Sequence, residues 1–352
     1  MTRIEKLNSA LEAKHLEAVV VLTDFNRRYL SGFTGTSGAL IITKEHKLLI
    51  TDFRYIEQAT TQAPGFEIIK QSGALIDEVK AQLESLDVQN VGFEGHLVSY
   101  DTYLQLSKSY ISLISISGLI EKIREVKDDS EIELIQKASE IVDETYEYIL
   151  TVAQAGMTEQ QLKAKLESKL LELGAEGTSF DTIVASGHRG ALPHGVASEK
   201  VINKGELITL DFGAYYKGYS SDITRTFAIG EPDPKLKEIY NIVLEANMKG
   251  IAAAKKGITG KQLDAVARDY IASQGYGDAF GHSLGHGIGL DVHEGPNLSE
   301  KSESKLEINN CVTIEPGIYL DGLGGVRIED DILITENGCE CFTKCSKNLI
   351  IL

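Results

Sequence analysis

The chain has 352 residues, of which 42% are hydrophobic and 25% are charged, and its formal net charge at pH 7 is −17. This composition is typical of a globular protein that is long enough to form one large domain or two ordinary ones. The excess of acid argues against a nucleic-acid or anionic-membrane partner, because both require a basic face on the protein.

No targeting or spanning segment is expected from the sequence. Residues 1–18 carry a charge every few positions, unlike a signal peptide, and no segment approaches the roughly 18 consecutive apolar residues of a membrane span. All four cysteines lie within the last 42 residues, which is not the distribution of a disulfide framework, so a cytoplasmic location is expected. Cys339, Cys341 and Cys345 could bind zinc, but no fourth ligand is nearby, and ordinary strand residues are the favoured interpretation.

The first third of the chain alternates between helical and strand patterns. Apolar spacing predicts an amphipathic helix over 2–15, strands at Ala18–Leu22, Ala39–Thr43, Lys47–Thr51 and Asn90–Gly92, and helices near 53–62, 74–85 and 99–109. These elements indicate an α/β domain of about 120 residues.

A charged segment over 123–129 separates this part from the rest. Ser130 and Glu133 then predict a capping box at the start of a long helix. We therefore predict two domains, residues 1–124 and residues 125–352.

The second part contains an internal repeat. The residues Gly156, Thr158, Gln161, Leu162, Ala164 and Gly174 recur at a constant offset as Gly257, Thr259, Gln262, Leu263, Ala265 and Gly275. In each copy a threonine can cap a helix that a glycine closes. This pattern predicts two duplicated halves related by a pseudo-twofold axis, with a site between them, and a mixed α/β (α+β) fold for the whole chain.

Four acidic residues interrupt apolar strand patterns. Asp211 and Asp222 flank a turn at 216–218, which predicts a hairpin with the two carboxylates within about one residue of facing each other. Glu315 and Glu329 flank the glycine-rich turn 322–325 in the same way. Solvated strand faces would explain one such pair, but two pairs of facing like charges in apolar strands indicate a shared cation.

Three of the eight histidines fall within twelve residues of each other. His282, His286 and His293 lie in one glycine-rich segment, in which Gly281, Gly285, Gly287 and Gly289 are expected to allow close backbone approach and unusual dihedral angles. Carboxylates with one imidazole suit a pair of Mn²⁺, Co²⁺ or Zn²⁺ ions. Two such ions about 3.5–4 Å apart can activate a water for hydrolysis.

Several blocks together resemble the pita-bread metallopeptidases of the aminopeptidase P and prolidase branch. They are LDFGAYYKGYSSDITRTF, GHSLGHGIGLDVHEGP, TIEPGIY and GVRIEDD, with YLSGFTGTSGALI and TDFRYIEQA in the first part. The resemblance covers essentially the whole chain and implies an N-terminal creatinase/prolidase-type domain followed by a pita-bread catalytic domain.

The resemblance also implies roles for individual residues. The expected ligands of two divalent ions, with Mn²⁺ favoured, are Asp211, Asp222, His286, Glu315 and Glu329. Metal-bound hydroxide would attack the bond before a proline in the second position of a peptide, with Glu315 also shuttling a proton. His194 and His293 are expected at the substrate, and His282 and Arg327 beside the substrate or behind the ligands. A homodimer is implied as well.

One departure bears on the substrate. Prolidases specialised for dipeptides tend to carry an arginine in the loop after the last histidine, whereas the loop over 294–310 has lysines and no arginine. This difference favours an Xaa-Pro aminopeptidase over an Xaa-Pro dipeptidase, although Lys301 or Lys305 could substitute for the arginine.

Other members of the same fold fit the sequence less well. Methionine aminopeptidase lacks a first domain of this kind, and creatinase does without the metals. A non-catalytic binding module is a further alternative, but such modules typically lose metal ligands, and here the expected set is complete.

Overall fold

A six-stranded mixed sheet forms the centre of residues 1–124. The computed structural model describes residues 1–107 and 110–352. The strands are β1 (Ala18–Val21), β2 (Ala39–Thr43), β3 (Lys47–Thr51), β4 (Glu67–Lys70), β5 (Asn90–Phe93) and β6 (Ser112–Ser115). They lie in the order β4-β3-β2-β1-β5-β6, and β1 pairs antiparallel with β2 and parallel with β5. Because β1 and β2 are buried along their whole length, they read as continuous apolar runs.

Helices connect these strands. They are α1 (Arg3–Ala13), α2 (Asp24–Ser31), α3 (Ile56–Gln62), α4 (Leu75–Ser85), α5 (Tyr100–Leu106) and α6 (Leu119–Arg124). The strand predictions for β2 and β3 are confirmed residue for residue. The helix predicted over 99–109 is observed as α5, and residues 108 and 109 lie outside the described residues. Helix α2 was missed because its buried side includes Asn26 and Arg27, so apolar spacing does not reveal it.

Residues 125–352 form a second compact unit, distinct from the unit of residues 1–124. Its helices are α7 (Asp129–Val152), α8 (Glu159–Glu172), α9 (Pro234–Ala253) and α10 (Gly260–Ser273). Its strands are β7 (Gly177–Thr178), β8 (Ile183–Ser186), β9 (Glu206–Phe212), β10 (Ala214–Tyr216), β11 (Tyr219–Ser220), β12 (Ile223–Ile229), β13 (Gly285–Gly287), β14 (Glu294–Leu298), β15 (Cys311–Ile314), β16 (Gly317–Leu320), β17 (Gly324–Arg327), β18 (Asp330–Ile334) and β19 (Cys339–Cys341). They form sheets in the orders β11-β10-β7, β12-β9-β8, β14-β13-β15-β18-β19 and β16-β17.

The start of α7 differs from the prediction. The capping residue is Asp128, whose side chain accepts from the backbone N–H of Glu131, and the Glu131 side chain accepts from the N–H of Asp128. The predicted box of Ser130 and Glu133 is therefore wrong by two residues. Aspartate caps as well as serine does, and the local pattern allowed both positions.

The internal repeat is confirmed as a repeated structure. Thr158 and Thr259 each form a capping box with the glutamine three residues later, and each begins a helix of 14 residues. Gly174 and Gly275 follow these helices with φ values of +97° and +88°, the left-handed conformation that glycine adopts without strain.

No helix within the described ranges 1–107 and 110–352 is long and apolar enough to cross a lipid bilayer. All four cysteines are free thiols. Cys339 and Cys341 begin and end the short strand β19, and the Cys339 thiol donates to the carbonyl of Ile251. This is the strand arrangement favoured over a zinc site.

Candidate metal centre

One cavity in residues 125–352 gathers every predicted site residue. Its volume is about 260 Å³, and its lining consists of Phe180, Ile183, Pro193, His194, Asp211, Asp222, His282, Ser283, His286, His293, Glu315, Arg327 and Glu329. A larger cavity of about 780 Å³ lies within residues 1–124 and contains none of the predicted residues. The chemistry-bearing side chains therefore converge on the smaller cavity.

Strands β9 and β12 place the two aspartates diagonally. Asp211 pairs with Thr224, two residues beyond Asp222, so the prediction that the aspartates lie within about one residue of facing each other is off by one position. The reason is the turn: Tyr216 pairs with Tyr219, so the turn consists of residues 217–218 and not of 216–218, and β10 and β11 continue the register of β9 and β12 up to it. Both side chains still point to the same face of the sheet, since side chains alternate with a period of two.

The two glutamates occupy a break between two ladders. Ile314 pairs with Asp330 in one ladder, and Gly317 pairs with Arg327 in the next. The register is the same on both sides of the break, which sets Glu315 opposite Glu329 as predicted. The backbone N–H of Glu315 donates to Leu284 and that of Glu329 donates to Thr224, so the break connects the glutamates to the histidine segment and to the aspartate hairpin.

His286 lies in the middle of β13 and points toward these carboxylates. Its Nε2 atom is 3.4 Å from Glu315 Oε1 and 3.7 Å from Asp222 Oδ2. Ligand atoms of Asp222, His286 and Glu329 all lie within 4.8 Å of one another. Among the described residues, these three make up the one such group of potential metal ligands.

Burial and charge repulsion shift the pKa values of these side chains. Burial, followed by the charges of Glu329 and Asp211, raises the pKa of Asp222 well above its usual range. Burial likewise raises the pKa of Glu329, and it raises that of Glu315 to about 8. Burial lowers the pKa of His286 to about 4, so its imidazole is neutral at pH 7 and can act as a ligand.

Within the described part of the chain, one carboxylate oxygen of this site lacks a hydrogen-bond partner, which a bound cation would supply. Asp222 is 4% exposed, and its Oδ1 atom is buried without a hydrogen-bond partner among the described residues. A buried carboxylate oxygen without a partner is costly, and a metal ion would supply the missing contact. Oxygen ligands with one neutral imidazole match divalent ions such as Mn²⁺ and Zn²⁺.

Arg327 connects the ligands to a tyrosine and a histidine. Its guanidinium donates to Asp211 Oδ2, to Thr224 Oγ1 at 3.1 Å and to the Tyr319 hydroxyl at 2.7 Å. His282 Nε2 lies 2.8 Å from the same hydroxyl. The guanidinium thus orients the Asp211 carboxylate, and the Tyr319 hydroxyl connects the guanidinium to His282 by hydrogen bonds.

His194 and His293 are the exposed histidines of the cavity lining. The ring of His293 packs against that of His286 in a tilted arrangement, with ring centroids 4.4 Å apart and an interplanar angle of 49°. Both residues are exposed to solvent, in contrast to the half-buried His286. Their rings can therefore reach a molecule that enters the cavity.

Three supporting residues were not singled out from the sequence. Thr224 donates to Glu329 Oε2 at 2.7 Å, and Tyr319 connects Arg327 to His282. Asp331 accepts from the backbone N–H of Asp222 at 2.8 Å. A usable signal was present for Thr224, because it follows Asp222 by two residues and so shares its strand face.

The lysines proposed as substitutes for an arginine do not reach the site. Neither Lys301 nor Lys305 lines the cavity. Lys305 instead forms a bridge with Thr259, and the carbonyl of Ser302 accepts from the N–H of Lys261 at the start of α10. The loop pairs with the helix start of the second repeat, and this pairing does not favour the suggested substitution.

Comparison with known proteins accounts for both parts of the chain. Residues 133–336 match the model of metallopeptidase family M24, and residues 3–126 match that of the creatinase/prolidase N-terminal domain.

Relatives align over the full length. An uncharacterized peptidase, YqhT of Bacillus subtilis, is 47% identical over 99% of this chain and 100% of its own. The solved structure of an Xaa-Pro dipeptidase from Bacillus anthracis is 51% identical, with a TM-score of 0.98 and 99% coverage of both chains. That of an X-Pro aminopeptidase from Thermotoga maritima is 42% identical, with a TM-score of 0.93, and covers 99% of this chain and 100% of its own.

Proposed function

This chain belongs to metallopeptidase family M24, and we propose that it hydrolyses the peptide bond between an N-terminal residue and a following proline. The observation that carries the proposal is the convergence of four carboxylates and His286 on one small cavity. The proline preference comes from relatives of closely similar length and structure, which are named for Xaa-Pro substrates.

Five residues would hold the metal in this proposal: Asp211, Asp222, His286, Glu315 and Glu329. Two divalent ions bound there would polarise the substrate carbonyl and lower the pKa of a shared water. We favour Mn²⁺ because most of the ligands are hard carboxylate oxygens. We also propose a homodimer, on the family resemblance, which analytical ultracentrifugation tests directly.

The remaining residues of the cavity act on protons and on the substrate. Glu315 Oε2 lies 3.9 Å from His282 Nδ1. In our proposal, Glu315 takes up the proton that the attacking water loses and passes it to the proline nitrogen as the peptide bond breaks. The exposed imidazoles of His194 and His293 hydrogen-bond the substrate carbonyl and its developing negative charge. Arg327 keeps Asp211 oriented, since its guanidinium fork contacts three acceptors at once.

Dipeptides are the first candidate substrates. A cavity of about 260 Å³ is at the small end of ligand sites and suits a short peptide. Longer peptides are the second candidate, and one observation favours them. The cavity lining contains a single arginine or lysine, Arg327, and its guanidinium already bonds Asp211, Thr224 and Tyr319. It is therefore poorly placed to pair with the free carboxylate of a dipeptide.

The test is hydrolysis of Ala-Pro beside Ala-Pro-Ala, after chelation and again after Mn²⁺ is restored. We expect no cleavage of either peptide after chelation and recovery on adding Mn²⁺. A higher kcat/KM for Ala-Pro identifies a dipeptidase, and an equal or higher value for Ala-Pro-Ala identifies an aminopeptidase. If neither peptide is cleaved with Mn²⁺, Co²⁺ or Zn²⁺, the proposal is overturned and a binding module is favoured.

A further inference from the structure

Glu159 is a buried carboxylate that the proposed chemistry does not use. It is the first residue of α8 and is 0% exposed. Its Oε1 atom accepts from the backbone N–H and the hydroxyl of Ser186, at 2.8 and 2.9 Å. Its Oε2 atom accepts from the N–H and the hydroxyl of Ser198, at 3.0 and 2.7 Å, and from the Arg189 guanidinium. One carboxylate thus satisfies five donors.

Four of these donors come from the two ends of one loop, residues 186–198, and the fifth, Arg189, lies inside it. The loop begins at the last residue of β8 and carries Pro193 and His194 into the cavity lining. Because Glu159 binds Ser186 at one end and Ser198 at the other, it closes the loop at its base. The neighbouring Gln160 side chain adds a 2.7 Å bond to the carbonyl of Ala197.

The middle of the loop packs directly on the strand that carries Arg327. A Cβ atom on Gly325 would come within 2.2 Å of the Gly190 carbonyl oxygen, and one on Gly190 within 3.0 Å of the Gly325 nitrogen. The backbone of the loop is therefore in direct contact with the backbone of β17. His194 itself is exposed. Its backbone is held by short-range bonds inside the loop, from the N–H of Gly195 to the carbonyl of Leu192 and from the N–H of Val196 to the carbonyl of His194, so the place of this turn over the cavity depends on how the loop is closed at its base.

We propose that Glu159 is a positioning residue, which places His194 over the metal centre by closing the two ends of loop 186–198. This inference rests on the proposed function, because it assigns His194 a task at the substrate. It predicts that loss of the Glu159 carboxylate acts on catalysis through His194 and leaves the metal ligands in place.

Glu159→Gln is the informative variant, with Glu167→Gln as its control. The amide retains one acceptor oxygen but directs an NH₂ group at N–H and O–H donors, so one end of the loop is released. Glu167 lies on the same helix and accepts from Thr182 at 2.9 Å, but it makes no contact with the loop. Hydrogen exchange of peptides covering 186–198 should become faster in Glu159→Gln and stay unchanged in Glu167→Gln, while bound Mn²⁺ per chain stays equal to wild type in both. Unchanged exchange in Glu159→Gln would overturn the proposed closure.

The effect on catalysis is tested in two backgrounds with Ala-Pro and Ala-Pro-Ala. In the otherwise wild-type enzyme, Glu159→Gln should lower kcat/KM roughly tenfold to a hundredfold, mainly through kcat. In a His194→Ala enzyme the same change should alter kcat/KM by less than about twofold, because the residue it positions is already gone. Equal losses in both backgrounds would mean that Glu159 is only structural. If wild type cleaves neither peptide, the proposed function fails, whereas the exchange measurement still decides whether Glu159 closes the loop.

Discussion

Asp222 is subject both to burial and to repulsion from neighbouring carboxylates. Its backbone N–H is held by Asp331, its Oδ2 atom faces His286, and its Oδ1 atom is buried without a partner among the described residues. Glu329 and Asp211 add like charge around it. A protein retains such an arrangement at a cost to its own stability, since buried carboxylates repel each other and lose their hydration. The arrangement becomes favourable when a cation is bound.

Replacing Asp222 by asparagine separates these two effects. Asp222→Asn keeps the size of the side chain and removes one negative charge, so the metal-free protein should unfold at the same temperature as wild type or at a higher one. Wild type at 100 times its metal dissociation constant should gain about 2.7 kcal/mol from Mn²⁺, and the variant should lose most of that gain. Thermal melts with and without Mn²⁺, together with metal content after dialysis, measure both effects.

Asp321→Asn is the matched control, because Asp321 is exposed and does not line the cavity. It should retain wild-type metal content and the full stabilisation by Mn²⁺. Full metal content in Asp222→Asn would show that Asp222 is not a ligand.

At the scale of the element, the glycine-rich segment 281–289 shows what each glycine is for. None of its four glycines has a positive φ, so the expectation of unusual dihedral angles is wrong. Close approach is the reason for three of them. A Cβ atom would lie 2.1 Å from the Thr313 carbonyl oxygen at Gly285, 2.0 Å from the Gly295 carbonyl oxygen at Gly287, and 2.4 Å from a Glu294 carboxylate oxygen at Gly289. Gly281 has nothing within 4 Å.

This contrast gives a matched pair of alanine variants. Gly285→Ala should push β13 away from β15, displace His286 and lower both metal content and kcat/KM by at least about tenfold. Gly281→Ala should leave metal content and kcat/KM within about twofold of wild type, because the added methyl group meets open space. Metal analysis and steady-state kinetics on both variants check the prediction. Equal behaviour of the two would contradict the role assigned to close backbone approach.

Element patterns predicted the hairpins well, but not their details. The glutamate pair was placed correctly because β16 and β17 pair in a regular register. The centre of this register is residue 322, which is also midway between Glu315 and Glu329. The aspartate pair was misplaced because Tyr216, assumed to be in the turn, belongs to β10 and pairs with Tyr219, which shifts the register. Similarly, the cap of α7 moved from Ser130 to Asp128, since several polar residues in one stretch can each cap a helix. Short-range pattern determines which residues share a face, whereas register and caps depend on tertiary contacts.

At the scale of the whole chain, duplication explains why the site could be found from the sequence. Each copy supplies one hairpin with two carboxylates, and the copies carry equal capping boxes on α8 and α10. The pattern could not show which side chains support the ligands. Tyr319 acts through hydrogen bonds with Arg327 and His282, and Asp331 accepts from the backbone N–H of Asp222, which lies 109 positions earlier in the sequence. Nor could it show that the loop with Lys301 and Lys305 pairs with the start of α10, away from the cavity.

The buried acids should also make the stability of the whole chain depend on metal and pH together. Without metal, burial raises the pKa of Glu315 from 4.5 to about 8, and it raises those of Asp222 and Glu329 in the same direction. A raised folded-state pKa contributes stability that is fully present below the unfolded value and is lost as the pH rises through the folded value. For Glu315 that window runs from 4.5 to about 8. Each proton kept only by the folded state costs on the order of 1.4 kcal/mol per pH unit across this window.

Two histidines have the opposite effect on stability at lower pH. The pH range of the measurement must therefore lie above the range in which they titrate. Burial lowers the pKa of His282 and of His286 from 6.5 to about 4, so they stabilise the folded state above pH 6.5 and lose that contribution as the pH falls toward 4. Between pH 7 and 8 both are neutral in the folded state and mostly neutral in the unfolded state, so the carboxylates dominate the slope. Urea unfolding of chelator-treated protein at pH 7.0, 7.5 and 8.0 should therefore show a falling free energy of unfolding. With saturating Mn²⁺ the slope should flatten or reverse, because the ions replace the protons on the carboxylates. A flat profile without metal would mean that these carboxylates are already ionised at pH 7 and tolerate one another without a cation.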